Sequence, residues 1–341
     1  MTKIKNMDEF ALASGVSRPT LSKYFHDPKS VRKSTREKIE SALDLYDYRP
    51  NLYAMNQNRK LTKTIGIVVP HLADPFFNEM ARTLELRCME AGFSPSLYSA
   101  YGDPEQEINI LDSLRSLKPA GVLFAPLGES SNRSQIEKFC KQVPTVLFDS
   151  DIEGLGEAFI GSDNDSFIFQ SVEYLVRTGA PPLFFEMETP ANPNAQRRHD
   201  AFIRSMEQLS LEPEIVQIPG TGWNFEEIGL RGAHDLLSGP DLPEKSILCS
   251  NDRLALGFLA AAFQLNLTVG RLPSHHLRVA SNDDHPYSKY ACPSLTTVAH
   301  DYHAVATLTL QTLIDRINNG QSLGERKETR FQARLVLRDS A

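Results

Sequence analysis

The 341-residue chain has little of what specialised protein classes depend on. Its four cysteines, Cys88, Cys140, Cys249 and Cys292, are scattered without C-x-x-C spacing, which argues against a disulfide framework or a zinc cluster and leaves reduced structural thiols as the expectation. No run of about 18 apolar residues occurs, so no membrane-crossing helix is expected. MTKIKNMDEFA is followed by no apolar stretch of signal-peptide length, and a soluble, cytoplasmic protein is expected. Histidines form no metal cluster; the adjacent His275 and His276 read as exposed loop. Catalytic signatures are thin as well. Gly220-Thr221-Gly222 lacks the third glycine of a dinucleotide-binding turn, and Asp283-Asp284-His285 stands without a nucleophile, a base and an orienter. The chain therefore reads as no enzyme, with no cofactor.

What is present divides unevenly. Hydrophobic residues make up 41% of a chain long enough for two or three domains, each burying its own core. Residues 1 to 63 carry a net charge of +6 and the remainder −13 within an overall −7. A charge run is ordinarily just solvated surface, but a basic head on an acidic body is also the footprint of a binder of nucleic-acid backbone.

Within that head, Asn6 to Phe25 (NMDEFALASGVSRPTLSKYF) reads as a helix-turn-helix. Small Ala11 lets a second helix approach, Gly15 supplies the left-handed turn residue, and Phe10, Val16, Leu21 and Tyr24 face inward. Ser17 caps the second helix, with Pro19 in its first turn, where a missing N–H leaves no bond unmade. The exposed first turn offers Ser17, Arg18, Thr20, Ser22 and Lys23. Two helices about a glycine turn also occur inside ordinary helical cores, so context decides. Ser34-Thr35-Arg36-Glu37 reads as a capping box opening a third helix, with Ile39, Ala42, Leu43 and Tyr46 at helical spacing. Three short helices of this kind suffice for a DNA-reading headpiece. Arg49 to Lys60 is polar and basic, and is expected either to be a plain linker or to order only against DNA.

From Thr64 onward, apolar runs alternate with amphipathic stretches. Ile65–Val69, Val122–Ala125, Thr145–Phe148, Leu183–Phe185, Ile215–Ile218, Ile247–Cys249 and Leu277–Ala280 read as buried parallel strands. Residues 76–91, 105–117, 165–177, 197–209, 225–238 and 252–265 read as crossover helices. Alternation of this kind predicts doubly wound sheets in two subdomains, with ligands bound beyond the carboxyl ends of the strands in the cleft between them.

The chain resembles the lactose-repressor/galactose-repressor (LacI/GalR) family of bacterial transcription regulators nearly end to end. The headpiece carries Gly15-Val16-Ser17 and Thr20-Leu21-Ser22-Lys23, followed by Tyr48-Arg49-Pro50-Asn51. The body opens with Thr64-Ile65-Gly66-Ile67-Val68-Val69-Pro70 and Asp74-Pro75-Phe76-Phe77. Asp163-Asn164, Arg198-x-x-Ala201-Phe202, Ser250-Asn251-Asp252-Arg253-Leu254-Ala255-Leu256-Gly257, Asp283-Asp284 and Pro293-Ser294-Leu295-Thr296-Thr297-Val298 follow. Each piece alone is weak, but together they keep the family's order and spacing.

The resemblance implies an all-α helix-turn-helix headpiece (1–49), a hinge (50–63) and a type I periplasmic-binding-protein-like α/β body (64–341). Subdomain one is expected over about 64–161 and 292–320, and subdomain two over about 162–291 and 321–341. A periplasmic sugar-binding protein shares such a body but not the headpiece. Arg18, Pro19 and Lys23 would meet base edges, with Ser17, Thr20 and Ser22 near phosphates, and Ser30 would also belong to the DNA-binding set. Pro19 has no side-chain donor, so Arg18 and Lys23 would carry the direct readout, to guanine O6 and N7. In the hinge, Asn51 and Ala54 match the family's N-x-x-A-x-x-L, but Gln57 replaces the wedging leucine. Met55 in a shifted register, hydrogen bonding by Gln57 and Asn58, or a different operator are the alternatives; reduced DNA bending is expected.

For the body, the resemblance implies effector contacts from Arg198, Asp252 and Asp283, with Phe76 and Phe77 lining the cleft. The family's stacking position falls at Asn224, flanked by Phe225 and the only tryptophan, Trp223, which is taken as the aromatic wall. Each has a structural alternative, since such Arg and Asp residues also form salt bridges or caps and such Phe pairs also form core. A polyhydroxylated effector is implied, with a carboxylated one as its rival, in a homodimer on a pseudo-palindromic operator. The chain ends four residues after Leu337 without a Leu-rich heptad tail, which favours a dimer over a tail-assembled tetramer.

Overall fold

In the computed structural model, residues 4–49, 62–239, 246–319, 325–332 and 334–341 are described. The chain divides into two compact units, Met1–Thr62 and Lys63–Ala341.

The first unit is helical. Its helices α1 (Met7–Ser14), α2 (Arg18–His26) and α3 (Lys33–Tyr46) surround Phe10, Leu21 and Ile39, all fully buried. Phe10 stacks on Tyr48 with ring centroids 4.5 Å apart. Gly15 ends α1 with φ 60°, in the left-handed region where glycine carries no Cβ penalty. The cap of α3 differs from expectation. Its helix begins at Lys33 with Arg32 in the capping position and no side-chain cap bond, so Ser34 to Glu37 lie inside the first turn and close no capping box.

The second unit holds two parallel sheets. The first has strand order β11-β5-β4-β3-β1-β2, with β1 Thr64–Val69, β2 Ser94–Ser99, β3 Gly121–Phe124, β4 Thr145–Phe148, β5 Ala158–Ser162 and β11 Lys327–Phe331. The second has order β7-β6-β8-β9, with β6 Pro182–Met187, β7 Glu214–Ile218, β8 Ser246–Cys249 and β9 Arg278–Ala280. Alternate residues enter separate cores on the two faces. Ile65, Ile67 and Val69 join one cluster and Val68 another; Phe185 and Phe184 divide likewise in the second sheet. Burial on both faces is what makes these strands read as continuous apolar runs.

Two details depart from the expected division. Lys327–Phe331 pairs in parallel with Ala158–Ser162, so part of 321–341 belongs to the first sheet rather than to subdomain two. β10 (Thr297–Ala299) pairs antiparallel with β12 (Arg334–Val336), and its edge bridges to Ala280 and Asp283, so this piece of 292–320 lies beside the second sheet. Helix Tyr302–Asn319, which no expectation covered, packs Ala306, Leu310 and Leu313 onto the first sheet.

Candidate functional site

In the headpiece, α2 is held by local chemistry. Ser17 Oγ accepts the Thr20 amide at 3.4 Å and lies 2.8 Å from the Thr20 hydroxyl, with Pro19 in the first turn. Arg18, Ser22 and Lys23 are exposed and Thr20 is half-buried. Arg18 is ion-paired with Asp8 at 3.2 Å, a solvent-exposed pair of small net worth that leaves the guanidinium exchangeable. Ser30 is turned inward, its hydroxyl donating to the carbonyls of Asp27 (2.5 Å) and Lys23 (3.3 Å). The hinge residues Asn51, Ala54, Met55, Gln57 and Asn58 lie outside the described residues.

The body's cleft opens beyond the carboxyl ends of both sheets. β1 leads to His71 and Asp74, β4 to Asp149, β6 to Glu186 and Met187, β8 to Ser250, and β9 to Asp283 and His285. Helix α8 (Pro193–Gln208, counting all helices from the N-terminus) begins earlier than the expected 197, because Asn192 caps it by accepting the Ala195 amide at 3.0 Å and Pro193 opens its first turn. That start puts Asn194 and Arg198 one helical turn apart on the cleft side. Helices α9 (Phe225–Leu237) and α10 (Asp252–Gln264) pack through Gly229 and Gly257. A Cβ on Gly257 would stand 2.2 Å from Glu226 O, so only glycine permits the approach that brings Arg253 to Glu226.

Arg198 is the centre of the second subdomain's wall. It is 8% exposed and donates to Asp283 Oδ1 at 2.5 Å, Ser250 O at 2.8 Å and Asn164 Oδ1 at 3.3 Å. Burial alone would raise the Asp283 carboxyl, but the Arg198 guanidinium and the His300 ring at 3.2 Å hold it well below the usual carboxylate range. Asp283 has φ 119°, a conformation that L residues adopt only under local strain.

Asp252 departs from its expected role. It is fully buried, absent from the cleft wall, and its carboxylate accepts Ser288 Oγ (2.5 Å), Thr297 Oγ1 (2.6 Å) and the His285 amide (2.9 Å). Burial pushes its pKa up despite those donors. Asp252 thus positions the loop carrying Asp283 and His285 rather than facing a ligand.

Of the residues expected to contact effector, Phe76, Phe77, Arg198, Trp223 and Asp283 do line the cleft. Phe225 lines it too, 5.7 Å from Trp223 edge to face. One face of Trp223 is covered by the ring of His71 from the first subdomain, at 5.2 Å and 19°. The cleft also holds Asp74, Asp149, Glu186, Asn194 and His285, none of which the sequence marks as an effector contact. Asp74 is legible as the cap of α4 (Pro75–Glu90) and His285 stands out only in the Asp283-Asp284-His285 run; Asp149, Glu186 and Asn194 carry no local signal.

Besides the His71–Trp223 stack, polar contacts tie the walls together. Arg253 reaches Asp74 across the cleft at 3.1 Å while holding Glu226 at 2.6 Å, and Asn194 donates to Asp149 Oδ1 at 2.9 Å. Burial and the charge of Asp283 push the Asp149 carboxyl up to about 7, against the pull of Arg198 and Arg197. Among the described residues no group of His, Cys, Asp and Glu could hold a metal ion, and no helix is long and apolar enough to cross a membrane.

Comparison with known proteins matches this division. Residues 6–51 match the family described as bacterial regulatory proteins, lacI family, and residues 172–341 match the periplasmic binding protein-like domain. The chain carries a LacI-family DNA-binding domain and a periplasmic-binding-protein-like body. It is 24% identical to the NTD biosynthesis operon regulator NtdR of Bacillus subtilis (strain 168), over 98% of this chain and 99% of that protein. The lac repressor dimer bound to operator and the anti-inducer ONPF superposes with a TM-score of 0.84 at 22% identity, covering 99% of both chains. A LacI family regulator from Enterococcus faecium with bound ribose superposes at 0.68 and 20% identity, over 81% of this chain and 98% of that one. The chain is accordingly a transcriptional regulator with a DNA-binding domain and an effector-binding body, and its relatives are LacI-family regulators rather than enzymes.

Proposed function

We propose that the chain is a cytoplasmic repressor that binds a pseudo-palindromic operator as a homodimer and is controlled by a small effector, a sugar, polyol or sugar acid, held between the two subdomains. The observation that carries this reading is the pair of bonds across the cleft, Arg253 to Asp74 and Asn194 to Asp149. A ligand seated among these groups touches both walls, so its binding energy depends on how far the walls are closed. Ligand and DNA then act on one equilibrium, with a coupling of about 1 to 3 kcal/mol. Arg18 and Lys23 read bases, Ser17, Thr20 and Ser22 meet phosphates, and Gln57 enters a less bent operator than a wedging leucine would produce. The ribose-bound and anti-inducer-bound neighbours support a carbohydrate-like ligand.

Gel-shift titration of operator DNA with and without effector tests the coupling. Linkage being reciprocal, equal effector affinity for free and operator-bound protein would rule it out.

A further inference from the structure

Four carboxylates line the cleft: Asp74, Asp149, Glu186 and Asp283. Three of them already hold a nitrogen-bearing ring or guanidinium of the protein. Arg253 pairs with Asp74 at 3.1 Å, Arg198 with Asp283 at 2.5 Å, and the His199 ring lies 2.7 Å from Glu186, which also accepts the Gln217 amide at 3.0 Å. Asp149 differs. Its carboxylate meets only the Asn194 amide at 2.9 Å and the Ser150 hydroxyl at 3.4 Å, and among the described residues no cation is ion-paired with it. The two nearby arginines are engaged elsewhere, Arg197 with Asn194 Oδ1 and Arg198 with Asp283, Ser250 and Asn164.

A second group also waits for a partner. His285 is 2% exposed and lines the cleft, yet neither ring nitrogen makes a hydrogen bond; Nε2 stands 3.6 Å from Asp283 Oδ2. A buried imidazole left unpaired is unfavourable until something entering the cleft bonds to it. The same cleft is lined by the rings of Phe76, Phe77, Trp223 and Phe225, whose negative faces favour cations and C–H surfaces over anions.

Resting on the effector-binding reading above, we infer that the cleft selects a ligand with a protonated amine among its hydroxyls, the amine seated on Asp149 and a hydroxyl on His285. An acidic ligand meets the opposite situation. It would face the uncompensated Asp149, and could reach Arg198 only by displacing one of the partners that already hold it, Asp283, Ser250 or Asn164. The raised pKa of Asp149 follows from the same arrangement, since burial without a paired cation disfavours the ionised form. An arriving ammonium reverses that penalty and drives off the proton.

The test uses the full chain and matched hexoses: D-glucosamine, D-glucose and D-glucuronate, with their galacto and manno counterparts. Trp223 fluorescence and calorimetry in two buffers of different ionisation enthalpy at pH 7 report affinity and proton release. The amine is expected to bind about tenfold more tightly than its hydroxyl counterpart, the usual margin of a charge-assisted over a neutral hydrogen bond, and the acid not at all. Amine binding should release a net fraction of a proton at pH 7, the proton lost from Asp149 exceeding the smaller uptake by the partly deprotonated free amine, and glucose binding none. Asp149→Asn, nearly isosteric, should lose both the preference and the proton release, while His285→Phe should weaken amine and neutral sugar alike.

A neutral or acidic member binding as tightly as its amine overturns the inference while leaving the effector reading in place. So does an amine preference that survives Asp149→Asn, or the absence of proton release in the unsubstituted protein. If no member binds, the ligand class proposed here is wrong, and the wider reading stands or falls on the operator titration instead.

Discussion

The headpiece and the cleft solve recognition in opposite ways. In the headpiece the proposed reading groups lie at the surface and are held by partners close in sequence, as Ser17 holds Thr20 three residues on and Asp8 pairs with Arg18 ten residues away. In the cleft the polar groups are buried and held by partners far along the chain: Asn194 and Asp149 are 45 residues apart, Arg198 and Asp283 are 85, and Arg253 and Asp74 are 179. An exposed group contributes little to stability and is free to change partners, whereas a buried charge network binds folding and ligand recognition into one structure. Substitutions should therefore separate cleanly in the first region and fail to separate in the second.

The largest effects should come from cores and buried charges. Arg198→Ala leaves Asp283 buried without its cation and is expected to destabilise the body by about 3 to 5 kcal/mol, seen as a lowered melting temperature together with lost effector binding. Phe10→Ala removes the ring around which the headpiece packs, a loss of about the same size. In so small a unit that should abolish operator binding in a gel shift while the body still melts and binds effector normally. If the body's melting moved equally, the two units would not be separable.

The pH dependence sharpens the contrast within the body. The Asp149 carboxyl sits at about 7 in the folded chain and near 3.9 when unfolded, so between these values the folded state binds more protons. Its contribution to stability is full below about pH 4 and is lost as the pH rises through 7. Asp149→Asn should flatten this part of a melting-temperature profile measured from pH 4 to 8. An unchanged profile would mean that the carboxyl is already paired.

Smaller effects belong to the reading surface. Arg18→Ala should cost about 1 to 3 kcal/mol in operator affinity and relax preference at one base pair, measured by competition with single-base operator variants. Uniform weakening on every sequence would make Arg18 a phosphate contact. Ser17→Ala should lower headpiece stability by about 1 kcal/mol through loss of the cap, read by thermal denaturation.

What could be read from the sequence follows the same division. Gly15, Ser17 and Pro19 announce a turn, a cap and a helix start because their effects act within a few residues. Most central strands are equally legible, since burial on both faces writes itself as an apolar run, but Ala158–Ser162, interior to the first sheet and just as buried, is not among the expected strands. The edge strand Ser94-Pro95-Ser96-Leu97-Tyr98-Ser99 lacks that run and is not among them, whereas the edge strands of the second sheet, Glu214–Ile218 and Arg278–Ala280, keep enough apolar residues to be read. Arg32 rather than Ser34 opening α3 shows that a matching capping sequence does not place the helix start. Asp252 and Asp149 make the point for the site. One carries a family motif yet faces away from the cleft, and the other carries none yet lies at its centre, because neither orientation is decided within ten residues of the position.

The position of β11 in the first sheet has a consequence for how this protein could be rebuilt. After β5 the chain leaves the first subdomain, returns with helix Tyr302–Asn319 and β11, and leaves again to place β12 beside β10. Exchanging one wall of the cleft with a relative therefore requires three junctions in register. Exchanging the whole cleft requires one, between Thr62 and Lys63. A chimera with a new effector specificity is thus simplest to make by transplanting both walls together, and a new operator specificity by transplanting the headpiece alone.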